Sequence, residues 1–489
     1  MSNTHIPSVY KALIPIVFLI LLLAFNVIVV FGDDAIIGSN QMILLLSAAV
    51  AGIVGIVEGF SWKAILDGIT RSIGSTVPAI IILLLIGTLA GTWMISGIIP
   101  AMVYYGLELL NPTIFLVATC LICSLVSIAT GSSWSTVATV GIALFGIGKA
   151  LGFSDGIVAG AIISGSYFGD KISPLSDTTN LAAAMAGTEL FTHIRYLMYT
   201  TIPSYAITLI IFLFIGLGQT GSVDLDTIQA VKSDVMDIFF IHPILFIVPA
   251  IVILLIVKKV PAIPALLAGG LLGGLAAVIF QSEIILSLAS PSASTGVAMY
   301  EVVMNAMTIE VSIPTDNEML QNLLSSSGMT GMLNTIWLVL AAMTFGGVME
   351  ACGFLKSITL SFIKLAKSTV SLVSTTAATC ISVNALASDQ YLAVVIPGRM
   401  YADVYKERGL KPQVLSRTLE DTGTVTSVLI PWNTCGAYHA GVLGVSTFVF
   451  APYCFFNLIS PFMTIIFAAF NIKIARVNAD TEKKTEILE

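Results

Sequence analysis

The chain has 489 residues, of which 57% are hydrophobic and only 10% charged, and its mean hydropathy is +0.99. A soluble globular protein carries about 25% charged residues, so a water-soluble enzyme or binding domain is excluded and the bilayer is the solvent for most of the chain. The formal charge of −7 says little as a total, because in a membrane protein the distribution of charge among the loops sets the topology.

Ala12 to Phe31 is free of charge and has the length of one spanning helix, about 20 residues. It exceeds the roughly 7–15-residue apolar core of a secretory signal, and acidic Gly32-Asp33-Asp34 follows it in place of a small-residue cleavage site. It reads as a retained first span. Further spans are expected at Ile36–Val57, Val77–Ile99, Gly156–Leu190, Tyr196–Leu217, Ile238–Val257, Pro261–Phe280, Leu333–Gly353, Pro412–Ser446 and Thr447–Asn471. Two other apolar stretches, Pro112–Gly148 and Ser368–Pro397, are interrupted by small polar residues and read as re-entrant hairpins. Ser61–Arg71 and Lys356–Lys367 mix charges with apolar residues at helical spacing, which suits helices lying in the cytoplasmic interface or ordinary solvated connections. Six cysteines, Cys120, Cys123, Cys352, Cys380, Cys435 and Cys454, sit in apolar surroundings. The Cys120/Cys123 pair has neither a second pair nor nearby histidines, so buried thiols are expected and no zinc site. No cofactor and no nucleic-acid partner is expected.

Lysine and arginine gather in cytoplasmic loops. With the N-terminus cytoplasmic, all but three of the 21 basic residues fall inside; Lys149 and Lys232 fall outside and Lys171 lies within the membrane. The long segment Gln281–Gly331 holds Glu283, Glu301, Glu310, Asp316 and Glu318 and no basic residue, and should be external. Both termini are then cytoplasmic and the chain is a multi-pass protein of a cell (inner) membrane.

Sliding the chain against itself by 257 positions places Gly131-Ser132-Ser133-Trp134 on Ser388-Asp389-Gln390-Tyr391, Gly141 on Gly398, Gly152 on Gly409 and Pro174 on Pro431; a shift of 256 places Gly91 on Gly347 and Gly97 on Gly353. Two halves share one architecture. They are inverted, because the connection after the second hairpin carries Arg399, Lys406, Arg408, Lys411 and Arg417, whereas its counterpart carries only Lys149. The expected fold is therefore an all-α polytopic membrane protein with about 10 spans and 2 hairpins, each repeat holding one hairpin and one broken helix. Its parts are an extra span at 1–35, the first repeat at 36–217, a linker with a connecting span at 218–260, the second repeat at 261–472 with an insertion at 281–331, and a tail at 473–489.

Four polar breaks lie inside the spans: the hairpin tips Thr130–Thr136 and Asn384–Gln390, and the broken helices Gly169–Asn180 and Pro431–Gly436. Irregular backbone at membrane depth is tolerated only where protein or a wet cavity satisfies it. Its carbonyls, hydroxyls and amides are hard oxygen ligands suited to a small alkali cation. Ser132, Ser133, Thr136, Ser176, Thr178, Asn180, Ser388, Asn433 and Thr434 are the candidate ligands, beside the carboxylates of Asp177 and Asp389. Asp177 is the first candidate to bind the cation when ionised and a proton when the cation leaves, which by itself gives exchange. Asp170, Glu420 and Asp421 are further proton-carrier candidates, since acids in the bilayer are costly. Asp170 either pairs with adjacent Lys171 or serves the transport path, and Ser132, Ser133 and Thr136 either ligate or bond their own hairpin. His439 reads as a packing residue. No serine has a histidine and an acid at recognisable spacing, which sets an intramembrane hydrolase aside, and buried acids beside a broken helix suit coupled exchange better than a passive channel.

The run Tyr167-Phe168-Gly169-Asp170-Lys171-Ile172-Ser173-Pro174-Leu175-Ser176-Asp177-Thr178-Thr179-Asn180-Leu181 resembles the signature of NhaC-type sodium/proton antiporters, and Ile430-Pro431-Trp432-Asn433-Thr434-Cys435-Gly436 resembles its second-half counterpart. The resemblance covers nearly the whole chain. It implies the wider ion-transporter superfamily, a homodimer, and an elevator motion of a transport domain, carrying both hairpins and both broken helices, against a scaffold. It also implies an alternative, because the family includes a sodium- and proton-coupled malate/lactate exchanger. That function needs cationic or amide groups to hold a carboxylate, for which Lys171, Asn180 and Asn433 are the candidates.

Overall fold

The computed structural model describes residues 6–31, 38–109, 111–218, 225–290, 294–315, 321 and 324–477. Asp33, Asp34, Asp316, Glu318 and the tail beyond 477 lie outside them. Apart from a short antiparallel pair, Val311–Ser312 with Ser325–Ser326, the described elements are helical. Eight helices are long and apolar enough to cross a membrane among the described residues, or up to ten if two sharply bent pairs each count as one span. In lipid a helix satisfies every backbone group within itself, which is why the apolar runs take this form.

Helices α1 (Val9–Phe25) and α2 (Ser39–Val57) come first. The separate interfacial helix expected at Ser61–Arg71 does not form: α3 runs unbroken over Trp62–Ile95, capped by Ser61. Pro78 lies inside it and removes one ladder bond, but Gly74 keeps a helical backbone and no left-handed residue stops the chain there, and α3 packs along α13 (Ala262–Phe280) and α16 (Leu333–Ala351). Between them come α4 (Ile98–Leu109), α5 (Pro112–Thr130), α6 (Ser133–Thr136), α7 (Ile142–Ala150), α8 (Asp155–Ile172), α9 (Asp177–Ala186), α10 (Leu190–Gly218), α11 (Leu225–Ile238), α12 (Ile247–Val257), α14 (Ser282–Leu288) and α15 (Thr295–Thr308). The segment expected to be external is not a free loop. Its α15 lies so close to α3 that a Cβ on Gly91 would meet the Ala306 carbonyl oxygen at 1.8 Å.

The second half continues with α17 (Phe354–Ile363), α18 (Thr369–Ala387), α19 (Gln390–Glu407), α20 (Pro412–Leu419), α21 (Thr434–Leu443), α22 (Thr447–Phe450) and α23 (Phe455–Ala469). The expected span Thr447–Asn471 is split around Pro452, and α21 and the helical turns after it meet at 91°. Arg417, counted among the cytoplasmic loop charges, is fully buried, with its guanidinium 4.6 Å from the Tyr196 ring centroid. The six cysteines are buried and free.

The backbone repeats itself where the sequence does. Left-handed residues occur at Gly97 and Gly353, Gly131 and Ser388, Gly152 and Gly409, and Gly187 and Gly444, each pair at the separation found in the sequence. Helix caps follow the same register: Ser132 answers to Asp389, and Ser176 to Asn433.

Candidate functional site

The first hairpin turns at Gly131, whose φ of 68° is left-handed. A Cβ there would lie 2.6 Å from the Leu175 side chain, so glycine is required both by the turn and by the fit of the tip on the first broken helix. Ser132 caps α6 by accepting from the Ser135 N–H at 3.2 Å, and Thr136 donates to the Ser132 carbonyl at 2.9 Å. These two bond their own hairpin. Ser133 reaches out of it: its N–H and hydroxyl both donate to Asp170 Oδ2, at 3.0 and 2.7 Å.

Asp170 lies near the end of α8, after which the helix opens over Ser173–Ser176 before α9 begins. The freed groups are met locally. Thr179 donates to the Lys171 carbonyl at 3.0 Å, and the Asn180 amide to the carbonyls of Pro174 and Ser176 at 3.0 and 2.6 Å. Ser176 accepts from the Thr179 N–H and bonds the Thr178 hydroxyl at 3.1 Å. Asp177 occupies the first turn of α9, where the helix dipole favours a negative charge. It accepts from the Thr178 N–H at 2.8 Å and from the Tyr391 hydroxyl.

The second half is built alike. Ser388 is left-handed and Asp389 caps α19 by accepting from the Leu392 N–H at 2.8 Å. The Thr434 N–H donates to the Ser388 carbonyl at 2.9 Å, Asn433 to that of Asn384 at 3.0 Å, and Trp432 to that of Ala385 at 2.7 Å. Each tip therefore rests on the broken helix of its own half. Two aromatics at equivalent positions cross between halves. Trp134 of the first tip stacks on Tyr438 of α21, with centroids 3.9 Å apart, while Tyr391 of the second tip holds Asp177 of α9.

These elements enclose a cavity of about 320 Å³ lined by Ser132, Ser133, Asp170, Asp177, Thr178, Asp389 and Thr434, with Gln390, Tyr391, Trp134 and Tyr438 beside them. A vestibule of about 570 Å³ adjoins it, sharing Ser132, Ser135, Asp177 and Ala262 with it and bordered by Asn180 and Lys259. Of the other candidates, Thr136, Ser176, Ser388 and Asn433 are buried outside the lining. Ser75 and Thr76 of α3 also line the cavity beside Pro78, with their hydroxyls donating to the Ser72 and Ile73 carbonyls, and were missed from sequence; the run Gly74-Ser75-Thr76 before a proline inside an apolar stretch was the available signal. No three His, Cys, Asp or Glu among the described residues converge closely enough to hold a metal ion.

The expected alternative of an Asp170–Lys171 pair does not form. Neighbours on a helix point about 100° apart, and Lys171 turns away to make a fully buried ion pair with Asp421 and to donate to Ser460 at 2.8 Å. Glu420 accepts from Thr424 at 3.0 Å in the same wide helical turn, Glu420–Thr424, away from the cavity. His439 packs edge-on against Tyr167 and Tyr438. Exchanging Tyr391 for phenylalanine removes one donor from Asp177 without changing the shape. The expected result is a several-fold change in half-saturating sodium with little change in thermal stability; an unchanged sodium dependence counts against contact between this pair and the ion.

Apolar spans interrupted by paired tips and broken helices, around a cavity lined with carboxylates and hydroxyls, define a polytopic transporter. The chain belongs to the Na+/H+ antiporter family, whose model matches residues 5–179 and 165–472. It is 38% identical to the malate-2H(+)/Na(+)-lactate antiporter of Bacillus subtilis, over 96% of each chain. It is 36% identical to the Na(+)/H(+) antiporter NhaC of Alkalihalophilus pseudofirmus, over 90% of this chain and 92% of that one. It is also 36% identical to the arginine/ornithine antiporter ArcD of Halobacterium salinarum, over 94% of this chain and 91% of that one.

Proposed function

We propose that this protein exchanges sodium ions for protons across the cell membrane, with Asp177 as the shared carboxylate and Asp170 and Asp389 as its neighbours. The observation that carries the reading is the cavity wall: three aspartates, seven serines and threonines and no basic residue among the described residues. Ionised carboxylates and hydroxyls suit a hard cation, and a proton competes with it for the same oxygens. The similarity to NhaC antiporters supports this.

The malate/lactate alternative rests on a relative of comparable similarity. The residues that would hold a carboxylate there are engaged elsewhere: Lys171 with Asp421, Asn180 with Pro174 and Ser176, and Asn433 with Asn384. In sealed vesicles holding only the purified protein, an inward sodium gradient is expected to drive protons out of the lumen with no organic acid present, and apparent sodium affinity is expected to weaken as pH falls. No signal with sodium at any pH, followed by a signal on adding malate or lactate, would overturn the sodium/proton reading.

The matching left-handed turns and caps support two repeats, the unequal charge of their connections supports their inversion, and on both rests the proposed elevator motion in which both hairpins and both broken helices move together. Homodimerisation rests on the family resemblance alone. In the proposed topology Lys259 is cytoplasmic, so the vestibule that reaches Asp177 opens inward. Single cysteines at Glu310 and Lys406, both exposed, on a background lacking the native six, test the orientation: an impermeant thiol reagent on intact cells should label the first and spare the second. The reverse pattern counts against it.

A further inference from the structure

We propose that the same cavity also binds and carries small organic cations of the quaternary ammonium type, in exchange for protons; this rests on the reading of the cavity as the transport site. A single dehydrated ion does not account for its size. The cavity measures about 320 Å³, against about 10–15 Å³ needed to hold one water and about 300 Å³ at the lower end for small-molecule sites. Its carboxylates surround the space without converging on a metal-sized point among the described residues.

The wall has two chemistries. Asp170 is in the lining and only 5% exposed, so it brings a buried carboxylate to the wall beside Asp177 and Asp389. Buried carboxylates call for a cation or a proton. The same lining also holds aromatic rings, Trp134 and Tyr438, and the apolar Ala79 and Leu266. A quaternary ammonium ion matches both, because its charge is diffuse, its methyl groups are apolar, and aromatic faces attract it. An amino acid fits less well, since its own carboxylate would meet three aspartates and no basic group among the described lining residues.

The probe is tetramethylammonium, which carries no titratable proton and cannot collapse a pH gradient by crossing as a neutral base. In vesicles holding the full-length protein and no sodium, an inward tetramethylammonium gradient is expected to drive protons out of the lumen, and added tetramethylammonium should raise the half-saturating sodium concentration competitively. Trp134→Leu is expected to lower tetramethylammonium flux about tenfold relative to sodium flux in the same vesicles. Ala79→Leu, which fills the apolar wall and leaves the carboxylates in place, should shift the same ratio in the same direction, so a folding defect in one variant does not decide the matter. Sodium-driven proton flux with neither tetramethylammonium flux nor competition overturns this proposal and leaves the antiport reading standing. Tetramethylammonium flux without sodium flux does the opposite, and loss of both overturns both.

Discussion

Asp177→Asn is expected to reduce sodium-driven proton flux in reconstituted vesicles to the protein-free background, while the protein stays monodisperse with a near-wild-type unfolding temperature. The amide oxygen can still accept from the Thr178 N–H, and the amide NH2, in the place of the other carboxylate oxygen, can donate to the Tyr391 hydroxyl, so the local contacts survive. What is lost is the negative charge and the ability to take up a proton. Asp170→Asn separates binding from architecture, because Asp170 accepts both donors of Ser133 and so pins the first tip to the first broken helix. It should lower both flux and stability, since bonds to a charged acceptor are the stronger ones, about 1.5–3 kcal/mol. Near-wild-type exchange by a folded Asp177→Asn protein would remove Asp177 from the shared site and leave Asp170 and Asp389 as the remaining acids of the cavity.

The breaks themselves were legible in the sequence because glycine, serine, aspartate and proline cannot be read as lipid-facing helix, and their recurrence at one separation marked them as pairs. The left-handed turns at Gly131 and Ser388 and the caps at Ser176 and Asn433 fall within those runs. Which polar groups turn toward the cavity was not legible. Opening a helix frees several carbonyls and N–H groups, and buried backbone must be satisfied, so Thr136, Ser176, Asn180 and Asn433 bond the backbone that their own break exposes. A hydroxyl that caps and one that faces a cavity look the same in sequence. Long-range partners were equally hidden: Lys171 lies beside Asp170 in the chain yet pairs with Asp421 from the other half, and Ser75 and Thr76 join the cavity wall from a helix that runs unbroken past Gly74.

Removing either member of the Lys171–Asp421 pair is expected to produce the largest loss of stability in the molecule. Both side chains are fully buried, and Lys171 is anchored further by Ser460 and lies 5.2 Å from the Phe456 ring centroid. Desolvating two charges is costly, and their attraction offsets that only while both are present; leaving one alone costs about 3–5 kcal/mol. Lys171→Met and Asp421→Leu should therefore each lower the unfolding temperature of the detergent-solubilised protein sharply. The double variant removes both charges and replaces them with apolar groups, so it should recover most of the loss, a large favourable coupling in a double-mutant cycle. Exchange activity tells the rest. The pair bridges α8, which carries Asp170, to the turn Glu420–Thr424 of the second half, so a stable double variant that still exchanges sodium for protons assigns the pair to holding the two halves together. A stable double variant without exchange assigns Lys171 or Asp421 a place in the proton path. Additive losses, with the double variant less stable than either single one, would show that the two charges do not depend on each other.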